Sequence, residues 1–234
     1  MALNLLKQGF SVGVWDQNPT CLQPLLGVGA TRAMDPPDGF SAPAVLSMLS
    51  DDAAVREVFL SEATLESMGA GCIHVNLATI SPDLAREAAD AHAAHEVGYV
   101  AALMFGGVPV ARASKLNPIT AGRSEDLERV TPFLEAISAG LWPVGEDPIQ
   151  ANVVKVAGQV LIAAVIQSLS EAASLVKRAG DDGRRALASA HGLELPSSDL
   201  LSELLGEVLT AGMGDTDRFV LAEVQQHRDP LGNA

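Results

Sequence analysis

Asp16 closes the short apolar run Phe10-Ser-Val-Gly-Val-Trp15 and is the first residue placed to do chemistry. A carboxylate at the end of a buried strand accepts the two hydroxyls of a ribose and repels a phosphate beside them. A plain turn-forming aspartate ahead of Asn18 and Pro19 accounts for the same residue. Lys155 stands out for its surroundings, since Val153, Val154, Val156 and Ala157 flank a side chain that is usually solvated. His92 and His95 lie three apart on one helical stretch, a spacing that metal sites use. No third ligand accompanies them, so a solvated helix face is expected and no metal site. His74 alternates within a strand and is expected half-buried. Cys21 and Cys72 have no metal spacing. Ser81 precedes Pro82 and reads as a helix N-cap rather than a nucleophile.

The elements that must position these residues follow from periodicity. Residues 10–16, 44–49, 72–77, 98–104 and 116–121 read as short apolar strands. Helical stretches lie between them, at 1–9 with Gly9 closing the first, at 53–60 behind the capping run Ser50-Asp51-Asp52, and at 83–96. Alternation of strand and helix predicts an α/β fold with a doubly wound, mostly parallel sheet. A strand ending in an acid is the second strand of a dinucleotide-binding βαβ unit. The expected domain, residues 1–148, is therefore a truncated Rossmann-like one, lacking its first strand and the Gly-x-Gly-x-x-Gly turn. After Pro148 the pattern changes to helix alone, at 151–179, 183–191, 198–211 and 216–227. Residues 149–234 are expected to form an all-helical domain.

Composition narrows the partners. The chain has 234 residues and a net charge of −14, which repels nucleic acid and anionic membrane. Hydrophobic residues make up 48% but aromatics only 4%, so the core is built from Ala, Leu and Val. The apolar stretch 153–169 carries Lys155, Gln159 and Gln167, so a buried or amphipathic helix is expected rather than a membrane span. The start of the chain lacks the apolar run of a signal peptide. A cytoplasmic protein acting on a small molecule fits these features.

Several short matches occur in order: Met1 to Phe10, Val14-Trp-Asp16 with Pro19, Met48-Leu49 with Asp51-Asp52-Ala53, and Ala78-Thr-Ile-Ser-Pro82. Phe105-Gly-Gly107, Lys115-Leu116 with Ala121-Gly122, and Asn152-x-x-Lys155 continue them. Together they resemble the β-hydroxyacid dehydrogenases, the group that includes 3-hydroxyisobutyrate dehydrogenase and the cofactor domain of 6-phosphogluconate dehydrogenase. The resemblance runs through residues 1–180 and returns weakly over 183–220. It implies hydride transfer between a nicotinamide and a small hydroxy acid or carbonyl compound, with Lys155 as the acid/base. It also implies that Asp16, Leu49, Ser50 and Thr79 line the cofactor and that Gly106, Gly107 and Gln159 face the substrate. Asp16-Gln17 stands where NADP-using relatives carry Asn-Arg, which puts NAD ahead of NADP. A homodimer through the helical domain is implied as well.

The sequence also departs from the family. Phe105 replaces the serine that holds the substrate carboxylate there, and Gln159 replaces an asparagine. After Lys177-Arg-Ala-Gly180 an internal stretch with a second lysine is absent. These departures support an alternative, a non-catalytic or truncated dehydrogenase-like binding and dimerisation protein. The Phe105-Gly-Gly pattern also resembles imine reductases, from which the retained Lys155 separates this chain.

Overall fold

The computed structural model describes residues 1–36, 40 and 42–179, with side chains to Ser170. The helices expected at 183–191, 198–211 and 216–227 lie outside the described residues. Two compact units divide the chain, Met1–Ala157 and Gly158–Ala234. The first contains all the strands described below.

The chain opens with helix α1 (Ala2–Lys7), strand β1 (Gly13–Val14), a 3-10 turn at Pro19–Leu22, helix α2 (Gln23–Leu26) and strand β2 (Thr31–Arg32). β1 and β2 pair in parallel as a separate two-stranded sheet. Strand β3 (Ala44–Ser47) is followed by α3 (Asp52–Phe59), α4 (Glu62–Ser67), β4 (Ile73–Asn76), α5 (Pro82–Ala94) and β5 (Gly98–Phe105). Then come α6 (Val108–Arg112), β6 (Asn117–Ala121), α7 (Ser124–Glu135), β7 (Trp142–Gly145) and α8 (Pro148–Ala179). The larger sheet has the order β3-β4-β5-β6-β7. β3, β4 and β5 are mutually parallel, whereas β6 runs against β5 and β7 runs with β6. The α/β architecture read from the sequence is the one observed. The expected strand 10–16 shrinks to two residues, and β2, β7, α4, α6 and α7 are additions.

Side-chain alternation divides the sheet into two chemically different faces. Val100, Ala102 and Met104 of β5 join Ile73 and Val75 of β4 and meet Val130, Leu134 and Ile137 from α7 and its end. That layer is mainly apolar, with Thr120 of β6 and Asp126 of α7 as its buried polar members. The opposite face presents Ala101 and Leu103 to Ala151 of α8. It also carries His74 and Asn76 of β4 and Tyr99 of β5, all buried. A parallel strand covered on both sides has no solvent face, so every residue of β4 is buried.

Capping fixes the helix starts. The Asp51 carboxylate accepts from the Ala54 N–H, and the Ser81 hydroxyl accepts from the Leu84 N–H. Each such cap stabilises a helix by about 1 kcal/mol. Ser81 also donates to the Asp52 carboxylate, tying the start of α5 to the start of α3. Arg56 and Glu87 join the same two helices through a bidentate ion pair.

The histidines differ from expectation. His74 and His92 are both fully buried, and His92 does not lie on a solvated face. It follows Ala88 by one turn on the stripe Leu84, Ala85, Ala88 that faces the sheet. One directional chain of hydrogen bonds then fixes both rings. His92 Nδ1 must donate to the Ala88 carbonyl at 2.7 Å, so its Nε2 accepts from His74 Nδ1 at 2.9 Å. His74 Nε2 is left as an acceptor, and the Ser47 hydroxyl supplies the proton at 2.7 Å. Phe59 stacks on the His74 ring with centroids 4.0 Å apart. Asn76 Nδ2 donates to the Tyr99 hydroxyl at 3.1 Å, and burial pushes the Tyr99 pKa up to about 12.

Both rings are therefore held neutral. Burial, with His92 beside it, pushes His74 well below its ordinary range, and burial takes His92 from 6.5 to about 4. The unfolded chain binds protons first, so stability is full above pH 6.5 and falls as pH drops toward 4. His92 alone contributes about 3 kcal/mol to that loss, at about 1.4 kcal/mol per pKa unit. Half-buried His95, whose pKa is raised by its bond to the Ala91 carbonyl and then by Glu62, opposes the trend weakly. Urea unfolding at pH 7 and pH 5 is expected to show a lower midpoint at pH 5. Equal midpoints would mean that the two rings do not stay neutral.

Candidate functional site

The sequence-derived site residues cluster at one kind of place, the C-terminal ends of parallel strands. Asp16 follows β1, Leu49 and Ser50 follow β3, Thr79 follows β4, and Gly106 and Gly107 follow β5. In open α/β sheets these ends form the ligand crevice. Asp16, Ser50 and Thr79 are exposed, and Leu49 is half-buried between two apolar clusters. Asp16 Oδ1 accepts from the Asn18 N–H at 2.7 Å, so its turn-forming role is real. Asp16 nonetheless lines a cleft of about 190 Å³ together with Trp15, Arg32 and Met34. Arg32 was not singled out in the sequence. No apolar run marks the strand that carries it. Ser50 donates to Asp51 rather than standing free.

Lys155 is brought to the end of β5 by α8, which starts where Asp147 Oδ1 accepts from the Ile149 N–H. The helix turns its polar residues inward. Asn152 is fully buried and Lys155 is 6% exposed, while Val153, Val154 and Val156 face outward. Lys155 Nζ donates to the Met104 carbonyl at 2.6 Å and lies over the Phe105 ring, 3.8 Å from its centroid. Strand alternation explains the second contact, because Phe105 falls on the same face as Ala101 and Leu103. Burial pulls the Lys155 pKa down, which moves a weak acid toward the range where it can exchange a proton. Asn152 Nδ2 donates to the Pro148 carbonyl at 3.2 Å. Gln159, expected near the substrate, is exposed in the second unit.

Beside Phe105 the backbone is tightly packed. Gly106 has φ +127°, and a Cβ there would meet Val110 Cγ1 at 2.9 Å and Leu116 Cδ2 at 3.0 Å. Only glycine fits this turn. Among the described residues, no group of His, Cys, Asp and Glu could hold a metal ion. One described segment, Pro148–Ser170 of α8, is long and apolar enough to cross a membrane.

Parallel strands alternating with helices, with an acid after β1 and a buried ammonium at the end of β5, are the pattern of an α/β dinucleotide-binding unit. Residues 1–158 match the family model of the NAD binding domain of 6-phosphogluconate dehydrogenase, and the chain belongs to that family of β-hydroxyacid dehydrogenases. It is 30% identical over 196 residues to the uncharacterized oxidoreductase YfjR of Bacillus subtilis, covering 82% of this chain and 68% of that protein. It is 32% identical over 186 residues to 3-hydroxyisobutyrate dehydrogenase of Pseudomonas aeruginosa, covering 78% and 61%. The chain thus spans about two thirds of the first relative and less of the second. A crystal structure of 3-hydroxyisobutyrate dehydrogenase from Salmonella typhimurium shares the fold, with a TM-score of 0.72 at 21% identity over 95% of this chain and 94% of that one.

Among the described residues no carboxylate pairs with the buried Lys155 ammonium, so its charge costs stability. Lys155→Met keeps the stem and removes the charge. It is expected to leave stability unchanged or raise it by about 1 kcal/mol in denaturant unfolding. A loss of stability would instead show that the contacts to Met104 and Phe105 outweigh the cost of burial.

Proposed function

We propose that the protein is an NAD(P)-dependent oxidoreductase acting on a small hydroxy or carbonyl compound, with Lys155 as its proton donor and acceptor. The observation that carries this reading is the buried Lys155 ammonium at the C-terminal end of β5, against the Met104 carbonyl. The nicotinamide, when bound, supplies or takes the hydride. Lys155 gives its proton to the substrate oxygen in reduction and takes it back in oxidation. Its remaining N–H groups stabilise the charge that develops on that oxygen. Asp16 fits the adenosine ribose, since it lines a cleft while its carboxylate holds the turn. Arg32 in the same cleft would meet a 2′-phosphate, so NADP is accommodated alongside NAD. The relatives' dehydrogenase activity supports the reaction class.

A second reading, a dimerisation module, draws on the outward valines of α8. We propose that this face is the homodimer contact, since an apolar strip of this kind needs cover. Val153→Asp with Val156→Asp is expected to turn a dimer into a monomer in sedimentation equilibrium. An unchanged mass would remove the strip from the interface.

The function is tested by melting the protein with NADH and NADPH. Binding to the folded state alone raises the melting temperature by mass action. A saturable rise, reduced in Asp16→Asn, supports the cofactor site. No rise at millimolar cofactor overturns it. Lys155→Ala is expected to lower kcat by about 10²- to 10⁴-fold while the melting shift with NADH persists. Full turnover in that variant would exclude Lys155 as the acid/base.

A further inference from the structure

The Phe105 ring is a contact that the proposed reaction does not use. A buried ammonium commonly faces a carboxylate, yet burial is the one influence that moves the Lys155 pKa. Among the described residues, its partners are a carbonyl and a π face. An aromatic face attracts a cation through its quadrupole, most strongly when water is excluded. Lys155 is 6% exposed, so little of it meets water.

A substrate oxygen that is to receive the proton must approach Nζ, and something has to yield. The Met104 carbonyl sits on β5 beyond its last pairing with β4, and its backbone is held there through the ladder with β6, opposite Pro118. Val110 and Leu116 stand where a Cβ at Gly106 would lie, so little room is left on that side of the turn. Phe105 itself pairs with Asn117 across the β5–β6 ladder, which holds its backbone. Its side chain is half-buried, which leaves the ring as the movable wall.

We infer that Phe105 is a positioning residue that holds the Lys155 ammonium against the Met104 carbonyl and admits a substrate oxygen only when its ring rotates away. This inference rests on the reading of Lys155 as the acid/base. The carbonyl oxygen takes the place of the π face as the partner of Nζ. The displaced ring then borders the reacting carbon as an apolar surface. No covalent step is added to the reaction.

The contact is read by reductive methylation with formaldehyde and cyanoborohydride, followed lysine by lysine by mass spectrometry. Exposed Lys7 and Lys115 serve as internal references. Lys155 is expected to react about tenfold more slowly than either, despite its lowered pKa. Phe105→Leu keeps an apolar side chain without a π face and should raise the Lys155 rate about fivefold or more with the references unchanged. Phe105→Tyr should restore protection. The methyl signals of modified Lys155 should lie upfield of the others in the wild type and Phe105→Tyr, from the ring current, and lose that displacement in Phe105→Leu. Equal rates for Lys155 and the references in the wild type overturn the inference, as does an unchanged Lys155 rate in Phe105→Leu. Labelling needs no turnover. A chain that oxidises no NADH with any carbonyl compound overturns the acid/base reading and leaves the labelling result standing.

Discussion

The β4–β5 pairing is the constraint on which the rest of this structure depends. Both strands are buried on both faces, so their backbone groups have no water to fall back on and must bond to neighbouring strands. That requirement sets the register, and register sets which side chains meet. It sends the odd residues of β5 and the even residues of β4 to one side, where α5 and α8 lie. The opposite side receives mainly aliphatic groups and α7, whose Asp126 is buried there. A slip of one residue would exchange the two sets and leave the polar ones in an apolar layer.

The polar side is stable because its groups are satisfied in a fixed order. The Ala88 carbonyl can only accept, and this one fact determines both histidine tautomers and the direction of the Ser47 hydroxyl. Lys155 is treated differently. It has a carbonyl and a ring, a weaker set of partners for a full charge. The first group suits a permanent core, the second a side chain that must change partners.

Much of the fold could be read from residue patterns, and the reasons for the exceptions are physical. Strands 44–49, 72–77 and 98–104 are apolar runs bounded by caps or turns, and they form close to where the pattern puts them. Residues 10–16 carry the same signal but pair only at Gly13 and Val14, because ladder formation needs a neighbour that propensity does not supply. Helix α7 has a polar, charged exterior and Pro132, which hid its buried stripe Asp126, Val130 and Leu134. The candidate site was readable where chain order alone places residues at strand ends, as for Asp16, Thr79 and Gly106. At α8 the apolar neighbours of Lys155 pointed away from a solvated lysine, and Asn152 and Lys155 face in while the valines face outward. His92 was assigned to the wrong face. A ring that finds two hydrogen-bond partners is as welcome in a core as a leucine.

The reversal at β6 turns the start of α8 into a ruler. Gly145 stands level with Ala121, and Ala121 with Ala101, three residues short of Met104 on β5. Because β7 runs opposite to β5, the chain leaves the sheet heading away from the strand end that Lys155 must reach. The climb back is about 10 Å, three strand residues at 3.3 Å each. Helix α8 covers about the same distance between Pro148 and Lys155 at 1.5 Å per residue. One residue more or fewer in that stretch would shift the ammonium along the axis by only 1.5 Å but swing it by about 100° around the helix. The spacing from Pro148 to Lys155 is therefore far less tolerant of length change than of substitution.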